Sequence, residues 1–217
     1  MRTLDDELIV LRTHPVRESD LIVHFIAKEL GKGSALARGA KRSKKRFAGA
    51  LDSFTNLKAG LTPSRSGDSY SIDHVAIIDA FGALRRDLST LYLASYFCEL
   101  CDRLLAPSQF IPNVYELLLF FLERLTHSEA SNKQRHFFEV RLLTLTGICP
   151  DWEACPVSKP TREAMMLAAS CKLEDLGRVR LTPGMAREAR PVLLASIQDQ
   201  INANPRSLKL LESEVKP

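Results

Sequence analysis

The sequence predicts an α+β chain, a small all-β barrel followed by an all-helical half, and three observations predict it. Up to about residue 80 the apolar residues come in short alternating runs separated by turn chemistry. From Leu84 onward they recur every three or four positions. A dense basic run, Arg38–Arg46, interrupts the first half between two of its apolar runs. Period two belongs to half-buried strands and a 3.6-residue period to amphipathic helices. The change of period therefore divides the chain into 1–80 and 81–217.

Five strands are expected in the first half, at Glu7–Thr13, Leu21–Lys28, Gly33–Arg38, Ala50–Leu61 and Tyr70–Ile78. Turn residues bound them, at His14-Pro15, Leu30-Gly31-Lys32-Gly33, Arg38-Gly39 and Pro63–Gly67. Five strands this short would expose unpaired edges if laid flat, and closure into a barrel removes those edges. A five-stranded barrel with a basic loop suggests an OB-fold.

In the second half Leu88–Leu105 reads as the first helix. Pro112-Asn113 then signals a start, after which Val114, Leu117, Leu118, Phe121 and Leu125 share one helical face. Leu119, Phe120 and Leu122 fill much of the opposite side, so this helix is either central or presents a groove to a partner. Further helices are expected over Asn132–Thr146 and Met185–Asn202, the latter interrupted by Pro191. No repeat or low-complexity linker separates the halves, so they are expected to pack directly.

The charge is concentrated. Lys and Arg number 30 against 26 Asp and Glu, net +4, and Arg38, Lys41, Arg42, Lys44, Lys45 and Arg46 supply +6 of it, which leaves the other 208 residues at −2. With Lys28, Lys32 and Glu29, segment 28–46 reaches +7. Affinity for nucleic acid comes mainly from cations that displace counterions from consecutive phosphates, which a scattered charge cannot do. The plainer reading is a solvated loop or localisation tail, but the run is interleaved with Gly39, Phe47 and Gly49 and flanked by apolar alternation. The six cations and Lys32 are the candidate phosphate contacts. Such contacts carry no base information, so binding is expected to tolerate any sequence. Phe47, Phe54 and Tyr70 would stack on bases if exposed, although Phe47 and Phe54 read more simply as barrel core.

Other classes find little support. The longest apolar run, Leu117–Leu122, is six residues, against about 20 for a membrane span. Acids at Asp5, Asp6 and Glu7 stand where a signal peptide would be basic and then apolar, so a cytoplasmic protein without a membrane partner is expected. An odd five cysteines read as reduced thiols. Cys98-Glu-Leu-Cys101 has redox spacing but falls mid-helix, away from the N-terminal dipole that would activate a thiol, and reads as core. His14, His24, His74, His127 and His136 are scattered, and Gly31-Lys-Gly33 lacks the rest of a phosphate loop. No catalytic residue is assigned, and an ATPase or nuclease is not supported.

Glu7-Leu-Ile-Val-Leu-Arg-Thr-His-Pro-Val-Arg-Glu-Ser-Asp20, Leu30–Gly49 and Leu51-Asp-Ser-Phe54 together closely resemble the N-terminal domain of the RecO family of bacterial recombination mediators. Phe138–Gly147 resembles the helix before that family's zinc-binding insert. The resemblance runs through nearly the whole chain. Its most specific string is Gly31-Lys32, Ala37-Arg-Gly-Ala-Lys41 and Phe47-Ala-Gly49. It implies an OB barrel followed by a helical domain, and a role in DNA repair and recombination, through the RecFOR pathway, without catalysis. The implied activities are binding of single- and double-stranded DNA, annealing of complementary strands, capture of the acidic C-terminal tail of the single-strand-binding protein and, with RecR, loading of RecA.

One departure concerns the insert, about 148–177, where the family often carries two Cys-x-x-Cys pairs. Here Cys155 is followed by Ser158 and Cys171 by Glu174, so each pair keeps one thiol. A closed zinc site wants four soft or imidazole ligands. A degenerate finger without metal, packed around Trp152 and Leu173, is expected, with Cys149, Asp151 and Glu153 as the groups that could complete an irregular site. For the partner tail, an apolar groove rimmed by cations is required, and Leu117, Leu118 and Phe121 with Arg135 and Arg141 are the candidates, Arg103 and Arg124 the alternates. Two rivals are an OB-type RNA-binding factor of translation and a thiol oxidoreductase built on Cys98 and Cys101.

Overall fold

The computed structural model describes residues 3–43, 45–64 and 69–214. Strands β1 (Leu4–Val16), β2 (Asp20–Ala27), β3 (Gly31–Ala37), β4 (Asn56–Pro63) and β5 (Tyr70–Asp79) are followed by helices α1 (Leu88–Leu104), α2 (Val114–His127), α3 (Asn132–Leu145), α4 (Lys159–Ser170), α5 (Pro183–Ile201) and α6 (Arg206–Glu214). Short 3₁₀ turns lie at Gly82–Arg85 and Leu173–Arg178.

The strands close in the order β1-β2-β3-β5-β4, the expected OB barrel. All pairs are antiparallel except a short parallel seam that joins Ala35 and Leu36 to Tyr70 and Ser71. Closure depends on β1, where Leu8 lies opposite Ala27 on one flank and Leu57 on the other. Leu8 and Val10 fill the barrel with Val23, Phe25, Leu57 and Leu61, while Ile9 and Leu11 point out into the helical core. Both faces are covered, which is why this stretch is continuously apolar where a one-sided strand would alternate. A bulge between Val10 and Arg12 bends the strand between its two partners.

One boundary is corrected. The apolar run from Ala50 reads as the start of a strand, but β4 begins only at Asn56, and residues 47–55 form turns. Phe47, Ala50 and Leu51 are buried because they plug the barrel, not because they are paired in it.

In the helical half the expected faces are buried. Phe97 stacks on Phe138 with centroids 4.0 Å apart, and Phe121 meets both edge-on. Pro191 does not end α5: it sits exposed on the outer face, where the carbonyl it leaves unpaired can be hydrated. Helices α4 and α6 are not among the elements expected from the sequence. Glu99 of α1 holds the start of α6 by accepting the N–H groups of Arg206 and Ser207, each at 2.8 Å.

The halves share a core, since Ile9, Leu11, Ile26, Phe54 and Phe81 pack with residues of the helices. Gly31, at φ +72°, allows the loop after α1 to approach so closely that a Cβ would lie 2.5 Å from the Gln109 carbonyl oxygen. No described helix is long and apolar enough to cross a membrane.

Candidate nucleic-acid interface

The basic loop leaves β3 through Gly39, whose φ of +67° turns its N–H onto Asp20 Oδ1 at 2.8 Å. The Lys41 N–H donates to the Ser19 carbonyl at 3.0 Å, which ties the loop to the β1–β2 turn. Farther along, Ser43 Oγ accepts from the N–H groups of Arg46 and Phe47 at 3.0 and 3.3 Å. Phe47, Ala50 and Leu51 then anchor the distal end in the barrel core. Between these anchors Arg38, Lys41, Arg42, Lys45 and Arg46 are all exposed. Lys44, the sixth expected cation, lies outside the described residues.

The five cations are not equivalent. Arg42 pairs with Glu18 at 3.2 Å, both side chains being well exposed, so the pair is weak and yields readily to a phosphate. Arg46 donates to the Arg38 carbonyl and lies 4.3 Å above the Phe47 ring. Lys41 and Lys45 have no side-chain partner among the described residues. Arg17, exposed in the neighbouring turn at φ +56°, adds a cation that sequence reasoning missed. Flanked by Glu18 and Asp20, it carried no local charge signal. Asp20 is held below the usual carboxylate range chiefly by the Gly39 N–H, with help from the Ser19 hydroxyl and the charges of Arg17 and Arg38.

Lys32 is corrected: it is not part of this surface. It is 9% exposed, and its ammonium donates to the carbonyls of Asp102 and Leu105 and lies 3.6 Å from the Asp102 carboxylate. The β-turn pattern around it points to a loop, whereas the α1 end closes over it. Phe47 and Phe54 are 3% and 4% exposed, and Tyr70, half-buried, tilts onto Phe25 at 6.3 Å. None of these rings is an open platform for a base.

The five residues expected around a partner tail do not form one site. Leu118 and Phe121 are closed into the helical core. Arg135 is 5% exposed, with Nε 3.7 Å from Glu139. It belongs to a buried network in which Tyr96 donates to Glu139 at 2.7 Å and His136 Nδ1 lies 2.8 Å from the same carboxylate. Leu117 and Arg141 do meet, at a cavity of about 540 Å³ whose lining also includes Leu145, Ala169, Leu173, Lys172 and the acids Glu116 and Glu174. There Arg141 donates to the carbonyls of Ala169 and Cys171 at 2.6 and 2.5 Å. Of the alternates, Arg103 pairs with Glu99 and Arg124 lies over Phe120.

The cysteines are equally dispersed. Cys98 and Cys101 are 2% and 0% exposed, and burial pushes both thiols up, away from the reactive thiolate. Cys155 and Cys171 flank α4, whose 12 residues rise about 18 Å. Ser158 stands just before α4 with its hydroxyl 3.0 Å from that of Thr161, and Glu174 pairs with Lys172 in solvent. The region is a helix followed by a 3₁₀ turn, not a finger. Among the described residues no three of His, Cys, Asp and Glu are grouped as metal ligands.

Comparison with known proteins follows the same division. Residues 1–81 match the family model described as recombination protein O N terminal, and residues 85–163 match recombination protein O C terminal. The chain is 30% identical to the DNA repair protein RecO of Anaeromyxobacter sp. (strain K), over 96% of this chain and 95% of that protein. It is similarly 30% identical to the DNA repair protein RecO of Desulforudis audaxviator, over 97% of both. Against that of Geobacter sulfurreducens it is 39% identical, over 71% of this chain and 63% of the other.

Proposed function

The chain belongs to the RecO family, and from that premise we propose that it is a non-enzymatic DNA-repair protein that grips single- and double-stranded DNA with the loop Arg38–Arg46. The observation that carries this reading is the doubly anchored loop: its backbone is tied to Ser19 and Asp20 at one end and plugged into the barrel by Phe47 at the other, while Arg38, Lys41, Arg42, Lys45 and Arg46 face solvent. An ordered row of cations loses less freedom on meeting a phosphate backbone than a floppy one. With no open aromatic platform among Phe47, Phe54 and Tyr70, affinity rests on phosphates and is indifferent to base sequence. By holding two strands on one cationic surface, the loop lowers their mutual repulsion and favours annealing.

The finer family activities fit the helical half. The Leu117–Arg141 cavity offers an apolar lining with Arg141 and Lys172 beside Glu116 and Glu174, and it is the place in the helical half assigned to the tail of the single-strand-binding protein. Contact with RecR and, through it, RecA loading complete the proposal.

The test is reversal of Lys41, Arg42 and Lys45 to Glu. Affinity for single strands should fall by orders of magnitude, and the log–log salt slope should shrink by about 0.7 for each lost phosphate contact. Unchanged affinity and slope in a folded variant would overturn the reading. Preference for RNA over DNA of equal length would move it to the translation factor.

A further inference from the structure

We propose that Asp20 is a positioning residue for DNA binding: an acid inside the cationic surface that strengthens the grip on a polyanion by fixing the shape of the loop. The inference rests on the loop being the DNA contact.

Asp20 opens β2, opposite Val16 across the turn, and is 9% exposed. Its carboxylate projects under the loop. Oδ1 accepts the Gly39 N–H at 2.8 Å and the Ser19 hydroxyl at 3.3 Å. Next to it the Lys41 N–H reaches the Ser19 carbonyl at 3.0 Å. These contacts fix where the chain leaves β3, one residue after Arg38 and two before Lys41. Gly39 has open space around the position of a Cβ, so its left-handed conformation rests on hydrogen bonds: its N–H on Asp20, and the Arg42 N–H on its own carbonyl at 3.1 Å. Without the Asp20 acceptor the loop keeps the Lys41–Ser19 bond but loosens where it leaves β3, and DNA must order that exit again at an entropic cost.

Electrostatics alone predicts the opposite. A carboxylate beside Arg17, Arg38, Lys41 and Arg42 repels phosphate, so its removal should strengthen binding. The sign of the effect therefore separates the two accounts.

The experiment compares Asp20→Ala and Asp20→Asn in the full chain, by titration with a fluorescent single-stranded oligonucleotide at several salt concentrations. Asp20→Asn keeps an acceptor at the same reach and loses the charge. Binding should stay within about twofold of the parent for Asp20→Asn and weaken about tenfold for Asp20→Ala, with a shallower salt slope for Ala only. In the background of Lys41→Glu, Arg42→Glu and Lys45→Glu, the Asp20→Ala change should have no further effect. Equal or tighter binding by Asp20→Ala, or the same change in both variants, overturns the positioning role. If the triple variant itself binds like the parent, it is the loop assignment that fails.

If Asp20→Ala does not fold, the unmodified protein still decides. The Gly39 amide proton should shift in step with the titration of Asp20 and exchange slowly with solvent. A Gly39 amide that exchanges at the rate of an open loop and does not sense Asp20 overturns the proposal.

Discussion

Lys32 and Lys41 carry the same ammonium nine positions apart, and burial gives them different work. Lys41 stands in solvent, while Lys32 is enclosed where the barrel meets α1, its charge spent on Asp102 and two carbonyls. Glu139 shows the same logic with opposite charge. Burial opposes its ionisation, yet the His136 hydrogen bond and the charges of His136 and Arg135 hold it below its ordinary value. Because the folded value is depressed, the stability it confers is fully present above the ordinary carboxylate range and is lost as pH falls through the lowered one. Glu139→Gln should cost about 3–5 kcal/mol, since it leaves the Arg135 guanidinium buried without its counter-charge. It should also flatten the acid limb of a plot of denaturant midpoint against pH. An unchanged acid limb would mean that Glu139 is not the titrating group.

At the scale of elements, α4 is the deciding feature of the region that resembles a zinc insert. Helix α4 separates the retained thiols, with Cys155 before its start and Cys171 at its C-terminal cap, where the Cys171 carbonyl accepts from Arg141. Protein purified without chelator should contain far less than one zinc per chain by elemental analysis. Stoichiometric zinc, lost on Cys155→Ala, would reveal an irregular ligand set. The buried face of helix α4, Thr161, Ala164, Met165 and Ala168, has helical spacing, but with one polar and two small residues it gives a weak apolar signal beside the leucine-rich helices. Helix α6 is nine residues long and depends on Glu99, a cap supplied from α1 more than a hundred residues earlier.

Across the whole molecule, the loop lies on the barrel and the Leu117–Arg141 cavity among α2, α3 and the end of α4, so DNA and tail binding should be separable. Arg141→Glu should leave affinity for bare DNA within about twofold, because a surface charge is largely screened beyond about 10 Å at 0.1 M salt. It should weaken binding of a tail peptide about tenfold, the cost of a carboxylate without its cation. Annealing of bare strands would then survive, and annealing of strands coated with single-strand-binding protein would fail. Loss of both together would argue for a single shared site.

The barrel, four of the six helices and the basic run were legible in the chain itself, because alternation, helical period and charge density are local properties that short segments carry. The positions of β1 and α2 followed from Leu8–Leu11 and from the face Val114–Leu125 without reference to any neighbour. What lay beyond the sequence was exposure. Lys32 and Arg135 read as available cations until the fold showed that they are covered, whereas Phe47, read more simply as barrel core, is buried there. Arg17 and Asp20 were silent because their meaning depends on a turn brought against Gly39 and Lys41 about twenty residues away. Burial and contact between distant segments are set by how elements pack, and packing depends on the whole chain at once.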